Sequence, residues 1–404
     1  MREKGWAMTI VEAGRTVIGG VDTHLDVHVA AALDPIGGVL GVESFDASPR
    51  GYKAMFEWMG AFGTVSKVGV EGTGAYGAGL GRFLRKAGVE VVEVDRPNRQ
   101  ARRTKGKSDP ADAVEAARAV LSGRATGTPK SRDGNVEAIR ALLVAKRSAR
   151  DARVRALHQM RQLSYTGPDQ LRSRLKDLSI TDLVAETAAM RPRATGDPVV
   201  YATKMALAAL GRRVLSLEDE LVGINDLLTK LVTACAPEML ELFGVGIDTT
   251  ATLLVTAGDN PERLRSEATW AHLCGVAPIE ASSGKVTRHR LDRGGDRNAN
   301  QALWRIVMTR LACDPRTREY MERRTKEGRS KREVIRILKR YVAREVSSTF
   351  PALRSPSGGP GSVDTRRPHG LAFIRSAAPP LGTIARKRND AWLSKSLPSP
   401  SSGS

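Results

Sequence analysis

Four carboxylates stand where phosphoryl-transfer chemistry would need them. Asp22 closes an apolar, β-branched run in GGVDTHLD, and Glu71 closes another in VGVEGTGAYG. Asp109 and Asp112 lie in KGKSDPADA, at the start of a helical pattern. Carboxylates at strand ends converge on one edge of a sheet, and residues three apart share a helix face. Such a set could hold one or two Mg2+ ions, or Mn2+ in their place. The metal would neutralise charge on a phosphoryl oxygen, align the nucleophile and steady the leaving oxygen. Each acid also has a plainer reading. Asp109 before Pro110 could be an N-cap, Asp112 part of a variant capping box, and Asp22 the cap of a turn. The set weighs more than its members, because both strand-end acids follow β-rich runs and precede small residues. The glycines after Glu71 would let a backbone come close to a phosphate, although their spacing is not a Walker motif. Arg96, Arg99, Arg102, Arg103, Lys105 and Lys107 run directly into the Asp pair, as phosphate contacts or as a solvated face. His24 and His28 have the four-residue spacing of a helical metal pair. They fall in a segment that reads as strand, so a zinc site there is set aside.

Elements able to position these acids follow from the pattern. Val17 to Asp22, Val27 to Leu33 and Val39 to Phe45 read as strands, the last after a Gly37-Gly38 hairpin signal. Pro49 to Met59 reads as helix, Lys67 to Glu71 as strand, Gly79 to Lys86 as helix, Val89 to Val94 as strand and Asp109 to Leu121 as helix. Three meandering strands followed by alternating helices and strands is the order of an RNase H-like α/β domain. We assign it residues 17–134, after an N-terminal extension at 1–16.

Residues 135–234 are helical and rich in Arg, Leu and Ala. Within them Leu207, Leu210, Val214, Leu217, Leu221, Ile224, Leu228 and Leu231 recur at three- and four-residue spacings. That 3.5-residue repeat predicts a coiled coil in preference to an ordinary bundle helix. Residues 235–347 form a second compact, mainly α unit. Gly244 to Asp248 would join two of its helices and turn a helix N-terminus toward phosphate, or simply end a helix. Trp270 and Trp304 are expected in its core. The last helix, Lys331 to Val346, sets Val334, Ile335, Leu338, Tyr341 and Val342 against a basic face. From Ser348 to Ser404 the composition shifts to Ser, Pro, Gly and Arg, as in a disordered tail.

Composition narrows the function. The 404 residues carry 64 Lys and Arg against 44 Asp and Glu, a formal net charge of +20. Such an excess favours nucleic acid as the partner. No apolar stretch is long enough for a membrane span and no signal-peptide pattern is present, so a cytoplasmic protein, nucleoid-associated through DNA, is expected. Cys235, Cys274 and Cys313 are too far apart for a CxxC site.

Taken in order, GGVDTH, VEGTGAYG and KSDPADA resemble the N-terminal RuvC-like domain of the DEDD-type transposases of insertion sequence family 110. The resemblance implies that Asp22, Glu71, Asp109 and Asp112 are the acidic tetrad, and that a coiled coil follows. GVGIDTTATLLVTAGD resembles the family's helix-hairpin-helix-like opening of the C-terminal domain. WAHLCGVAPIEASSGKVTRHRLDRGGDRNANQALW resembles the segment with its nucleophilic serine. That pattern selects Ser283, before Gly284; a register shift of one would select Ser282. Arg288, Arg290, Arg293 and Arg297 follow, suited to gripping phosphate, and His289 is near. The resemblance spans about Val17 to Val346. It implies a transposase that cuts and rejoins DNA through a serine–DNA intermediate under the direction of a structured guide RNA, while the heptad repeat from Leu207 to Leu231 adds the expectation of a homo-oligomer, dimer or tetramer. The scarcity of aromatic residues, 4% of the chain, agrees with few base-stacking platforms. Three other readings are a water-using junction resolvase, a sugar-kinase-like or actin-like ATPase, and a non-enzymatic nucleic-acid-binding protein. Against the ATPase, a second phosphate loop of the Asp-x-Gly-Thr kind is missing.

Overall fold

A computed structural model describes residues 15–94, 108–194, 196–284 and 289–350. The N-terminal region runs β1 (Thr16–Thr23), β2 (Val27–Leu33), β3 (Val39–Asp46), α1 (Pro49–Gly60), β4 (Thr64–Glu71), α2 (Ala78–Lys86), β5 (Glu90–Val94) and α3 (Asp109–Leu121). Its strands form one mixed sheet in the order β3-β2-β1-β4-β5. The β1–β2 and β2–β3 pairs are antiparallel, and β1–β4 and β4–β5 are parallel. This is the α/β arrangement expected from the sequence, with each strand within a few residues of its expected place.

The central strand β1 is buried along almost its whole length, as a strand covered on both faces must be. On one face, Val21, Val68 and Val70 pack with Met55 and Met59 of α1 and Leu80 and Leu84 of α2. On the other, Ile18, Val29 and Val92 pack with Ala113, Ala116 and Ala117 of α3. The small residues on α3 meet bare backbone on the sheet. A Cβ at Gly20 would lie 2.2 Å from the Ala113 carbonyl oxygen and 2.3 Å from the Ala117 nitrogen. One at Gly69 would lie 2.6 Å from Val120 Cγ2 and 2.9 Å from the Ala116 carbonyl oxygen. The helix therefore sits as close to the sheet as backbone atoms allow.

The middle region is α4 (Asn135–Thr166), α5 (Asp169–Leu175), α6 (Ile180–Ala188) and α7 (Pro198–Cys235). Asp197 starts α7 by accepting from the Val199 N–H, with Pro198 in the first turn. The long helices α4 and α7 lie along each other. At one end Ala156, Leu157 and Met160 of α4 pack with α5, α6 and with Leu207 and Val214 of α7. At the other end Val136, Ile139 and Leu143 join Leu228 and Val232 in the core of the C-terminal region. The heptad stripe of α7 is thus filled at Leu207, Val214 and Leu228 from within the chain; Leu217 and Leu221 between them are half-buried.

The C-terminal region follows as α8 (Pro237–Leu240), α9 (Ile247–Ala257), a 3-10 turn (Pro261–Leu264), α10 (Glu267–Leu273), β6 (Ile279–Glu280), β7 (His289–Arg290), α11 (Arg297–Cys313), α12 (Pro315–Lys326) and α13 (Lys331–Ser347). It is mainly helical, as expected. Trp270 is fully buried and its indole N–H donates to the Ala343 carbonyl. Trp304 departs from expectation, at 37% exposed. The inward face of α11 is set by Ala299, Ala302, Leu303, Ile306 and Val307, and Trp304 is turned off that stripe. Arg310 takes the next inward place, held by both Glu345 carboxylate oxygens and the Phe243 carbonyl. Phe350 is buried edge-on to Trp270, so the packed core continues past Ser347. Residues 1–14 and 351–404 lie outside the described residues, as do Arg96, Arg99, Arg102, Arg103, Lys105, Lys107 and Arg288.

The two regions meet through the chain between α3 and α4. The Glu93 N–H donates to the Gly127 carbonyl, and Lys130 Nζ to the Val255 carbonyl. Asp259 accepts from the Val136 and Glu137 N–H groups and so caps α4 from across the fold.

Gly20→Ala should destabilise the fold by about 1–3 kcal/mol, because the added methyl meets backbone that cannot turn away. Gly81→Ala in α2, where a Cβ would have no atom within 4 Å, should instead gain about 0.5–1 kcal/mol. Urea unfolding of both variants checks this; equal effects would show that the contact of α3 with β1 is not tight.

Candidate active site

Strand pairing puts the two strand-end acids side by side. Val21 of β1 pairs with Val70 of β4, so Asp22 and Glu71 occupy the next step on neighbouring parallel strands. Side chains alternate along a strand. Asp22 therefore shares its face with Gly20, and Glu71 with Gly69, which is the face that α3 covers. The Thr23 hydroxyl donates to the Glu71 carbonyl at 2.7 Å and ties the two strand ends together.

Helix α3 delivers the other two acids. Its N-cap is Ser108, so Asp109 and Asp112 both stand in its first turn and Asp109 is not the cap. His24 Nε2 lies 3.1 Å from Asp22 Oδ2 and 3.5 Å from Asp109 Oδ2. One ligand atom from each of Asp22, His24 and Asp109 falls within 4.8 Å of the others, the span of a metal site. Asp22 is 6% exposed. Burial pushes its carboxyl above the usual range; His24 opposes that shift, and the nearby Asp112 and Asp109 charges add to it. The structure thus brings Asp22, Asp109 and Asp112 together at the sheet edge, with Glu71 on the adjoining strand end.

His24 escapes sequence reasoning when its spacing is measured only to His28. The structure separates the two. His28 is fully buried and its ring stacks on Tyr52 at 5.6 Å, with burial lowering its pKa. The usable signal is the spacing from Asp22, since i and i+2 at a strand end point the same way.

Ser283 belongs to a different element. It sits on the loop joining β6 to β7, where Ile279 pairs with Arg290 and Glu280 with His289. Ser282 and Ser283 are exposed, and Gly284 has φ +56°. Arg290, Arg293 and Arg297 are exposed on the chain that follows. The base of the ribbon is held by Asn300, whose amide donates to the Cys274 and Gly275 carbonyls, and by Asp296, which caps α11. Among the described residues Ser283 makes no hydrogen bond to the four acids.

Both parts of the chain match known families. Residues 19–164 match a DEDD transposase family of IS110, and residues 236–322 match the Transposase IS116/IS110/IS902 family. A mixed-sheet α/β region followed by a mainly helical region, each matched to a transposase family, places the chain among the DEDD transposases. The chain belongs to the IS110 family of transposases. Among curated relatives, the insertion element IS110 uncharacterized 43.6 kDa protein of Streptomyces coelicolor is 30% identical over 189 residues, 46% of this chain and 44% of the relative. The insertion element IS900 uncharacterized 42 kDa protein of Mycobacterium paratuberculosis is 24% identical over 191 residues, 44% of this chain and 48% of the relative. The chain thus spans less than half the length of each.

The raised pKa of Asp22 has a stability consequence. A carboxyl whose folded pKa exceeds its unfolded value stabilises the fold while protonated, and that stability is lost as pH rises through the folded pKa. In chelator at pH 7, Asp22→Asn should therefore melt above the wild type. The gap should close below about pH 4, near the ordinary carboxyl pKa. A variant that melts lower at pH 7 would contradict the burial of this charge.

Proposed function

We propose that this protein is a DNA transposase that cuts and rejoins strands at a composite site made by the four acids and Ser283. The observation that carries the proposal is the convergence of Asp22, Asp109 and Asp112 at the end of β1, next to Glu71 on β4. The strand order supports reading the domain as RNase H-like. Asp22, Glu71, Asp109 and Asp112, with His24, form an oxygen-rich donor set that fits a divalent cation such as Mg2+ or Mn2+. Such a cation would supply charge neutralisation on the scissile phosphate. Without it, His24 stands between the Asp22 and Asp109 oxygens and keeps them oriented.

Ser283 would be the nucleophile. Its oxygen bonds to phosphorus as the phosphorus–sugar oxygen bond breaks, and its proton leaves with the freed sugar hydroxyl. Attack by a hydroxyl of another strand reverses the step and regenerates the serine. Arg290 and Arg293, exposed after the ribbon, suit a grip on the flanking phosphates. Because Ser283 and the acids lie on separate regions, the site forms when the regions dock, within a chain or between protomers of a homo-oligomer. The half-buried Leu217 and Leu221 leave the middle of α7 open to such association. We further propose that a bound structured RNA chooses the DNA, since the large cationic excess and the few aromatic residues suit phosphate contacts more than base reading.

Trapping on end-labelled DNA tests the whole scheme. Wild type should form a covalent adduct that maps to Ser283. Ser283→Ala should lose the adduct, and Asp112→Ala should cut about 10³-fold more slowly, the several kcal/mol expected of a metal-supported charge site. RNase treatment beforehand should abolish sequence choice. Cleavage by Ser283→Ala would favour a water-using nuclease, an adduct lost only in Ser282→Ala would move the nucleophile by one, and full specificity after RNase would return target choice to the protein.

A further inference from the structure

A basic cavity of about 150 Å3 opens where α4, α9 and α11 meet. Lys146, Arg147 and Arg150 of α4 line it, with Asn298, Gln301 and Arg305 of α11 opposite. On each helix these positions are three or four apart or adjacent, so each helix turns one polar face into the cavity. Residues 146–150 lie in the matched N-terminal stretch and 298–305 in the C-terminal one, so the cavity is built from both.

Charge in this cavity is unbalanced. Its four cations meet a single lining carboxylate, Asp248, which pairs with Lys146. Arg150 pairs outward with exposed Asp151. Arg147 and Arg305 make no hydrogen bond or ion pair with any described residue. Arginines at several other helix junctions are matched: Arg310 with Glu345, Arg153 with Glu218 and Arg340 with Glu267. Gathering unmatched guanidinium groups costs mutual repulsion, which a bound anion would offset. The first turn of α9 also faces the cavity through Thr249, adding the positive end of that helix.

Size selects the anion. Cofactor and nucleotide pockets run to roughly 300–1,000 Å3, and this cavity is well below that range. A tetrahedral phosphate suits the guanidinium forks and the amide donors of Asn298 and Gln301.

We infer that this cavity seats one backbone phosphate of a bound nucleic acid, clamping it between the long middle helix and the C-terminal region. The identity of the anion rests on the proposed function; the cavity and its charge do not. Both DNA and RNA present the same phosphodiester, so both are probed. Full-length protein is titrated against a short labelled DNA duplex and a labelled RNA hairpin by fluorescence anisotropy over a range of salt. Arg147→Glu with Arg305→Glu should weaken binding of at least one probe about tenfold or more. It should also flatten the log–log salt dependence by about one unit, because one phosphate fewer is neutralised. The probe that weakens names the source. Arg147→Lys with Arg305→Lys, which keeps the charge, should retain most of the affinity. Asp248→Asn, which removes the competing carboxylate, should bind more tightly than wild type; that gain cannot come from misfolding. Unchanged affinity and salt slope for both probes in the Glu variant would overturn the inference while leaving the proposed function standing. Wild type that binds neither probe would overturn both.

Discussion

The contact between α3 and the bare backbone of β1 and β4 is the constraint on which the site depends. Gly20 and Gly69 remove the side chains that would hold the helix off, and Ala113, Ala116 and Ala117 answer them from the helix. Each glycine lies two residues before a strand-end acid, on the same face. The contact that brings the helix down therefore also sets its first turn beside Asp22, with Glu71 on the neighbouring strand end. Packing and chemistry are one arrangement: the tight seam buries Asp22, and burial is the largest cause of its raised pKa. A cluster of like charges held this way is unfavourable by itself, and a bound divalent cation would relieve it.

Much of this is legible in the sequence, for physical reasons. Valine-rich runs ending in Asp22 and Glu71 read as strands because they are buried on both faces. Asp109-Pro110 marks a helix start, and the i,i+3 spacing of Asp109 and Asp112 fixes their shared face. What stays hidden depends on contacts remote in sequence. The spacing of His24 from His28 is a local relation, whereas its partner Asp109 arrives from a helix far along the chain. Asp259 caps α4 across more than a hundred residues, a relation that no local pattern carries. Size alone places Trp304 in the core; the helical phase of Ala299, Leu303 and Ile306 turns it outward. The heptads of α7 are real, but a repeat cannot say whether its partner is another chain or α4 of the same one.

The four acids and Ser283 lie on different regions of the chain. The sheet carries the acids, and the β6–β7 ribbon carries Ser283 on an exposed loop, with a firm base at Asn300 and Asp296. The rigid links lie elsewhere. Lys130 reaches the end of α9, and burial beside Arg263 lowers its pKa to about 8, while Asp259 holds the start of α4. Under the proposed scheme, an exposed serine loop on a fixed base and a carboxylate cluster on a fixed sheet would be brought together by substrate. The basic cavity between α4, α9 and α11 adds a charged seam between the middle and C-terminal regions.

The central claim is that α3 and the two strand ends make one metal site. Anomalous diffraction from crystals of the protein grown with Mn2+ tests it most directly. The account predicts a peak bounded by Asp22, Glu71, Asp109 and Asp112, at about 2.0–2.6 Å from carboxylate oxygens, as for hard divalent cations, with the His24 ring at its edge. Saturating Mn2+ with no peak at the end of β1, or a peak held by acids elsewhere, would contradict it.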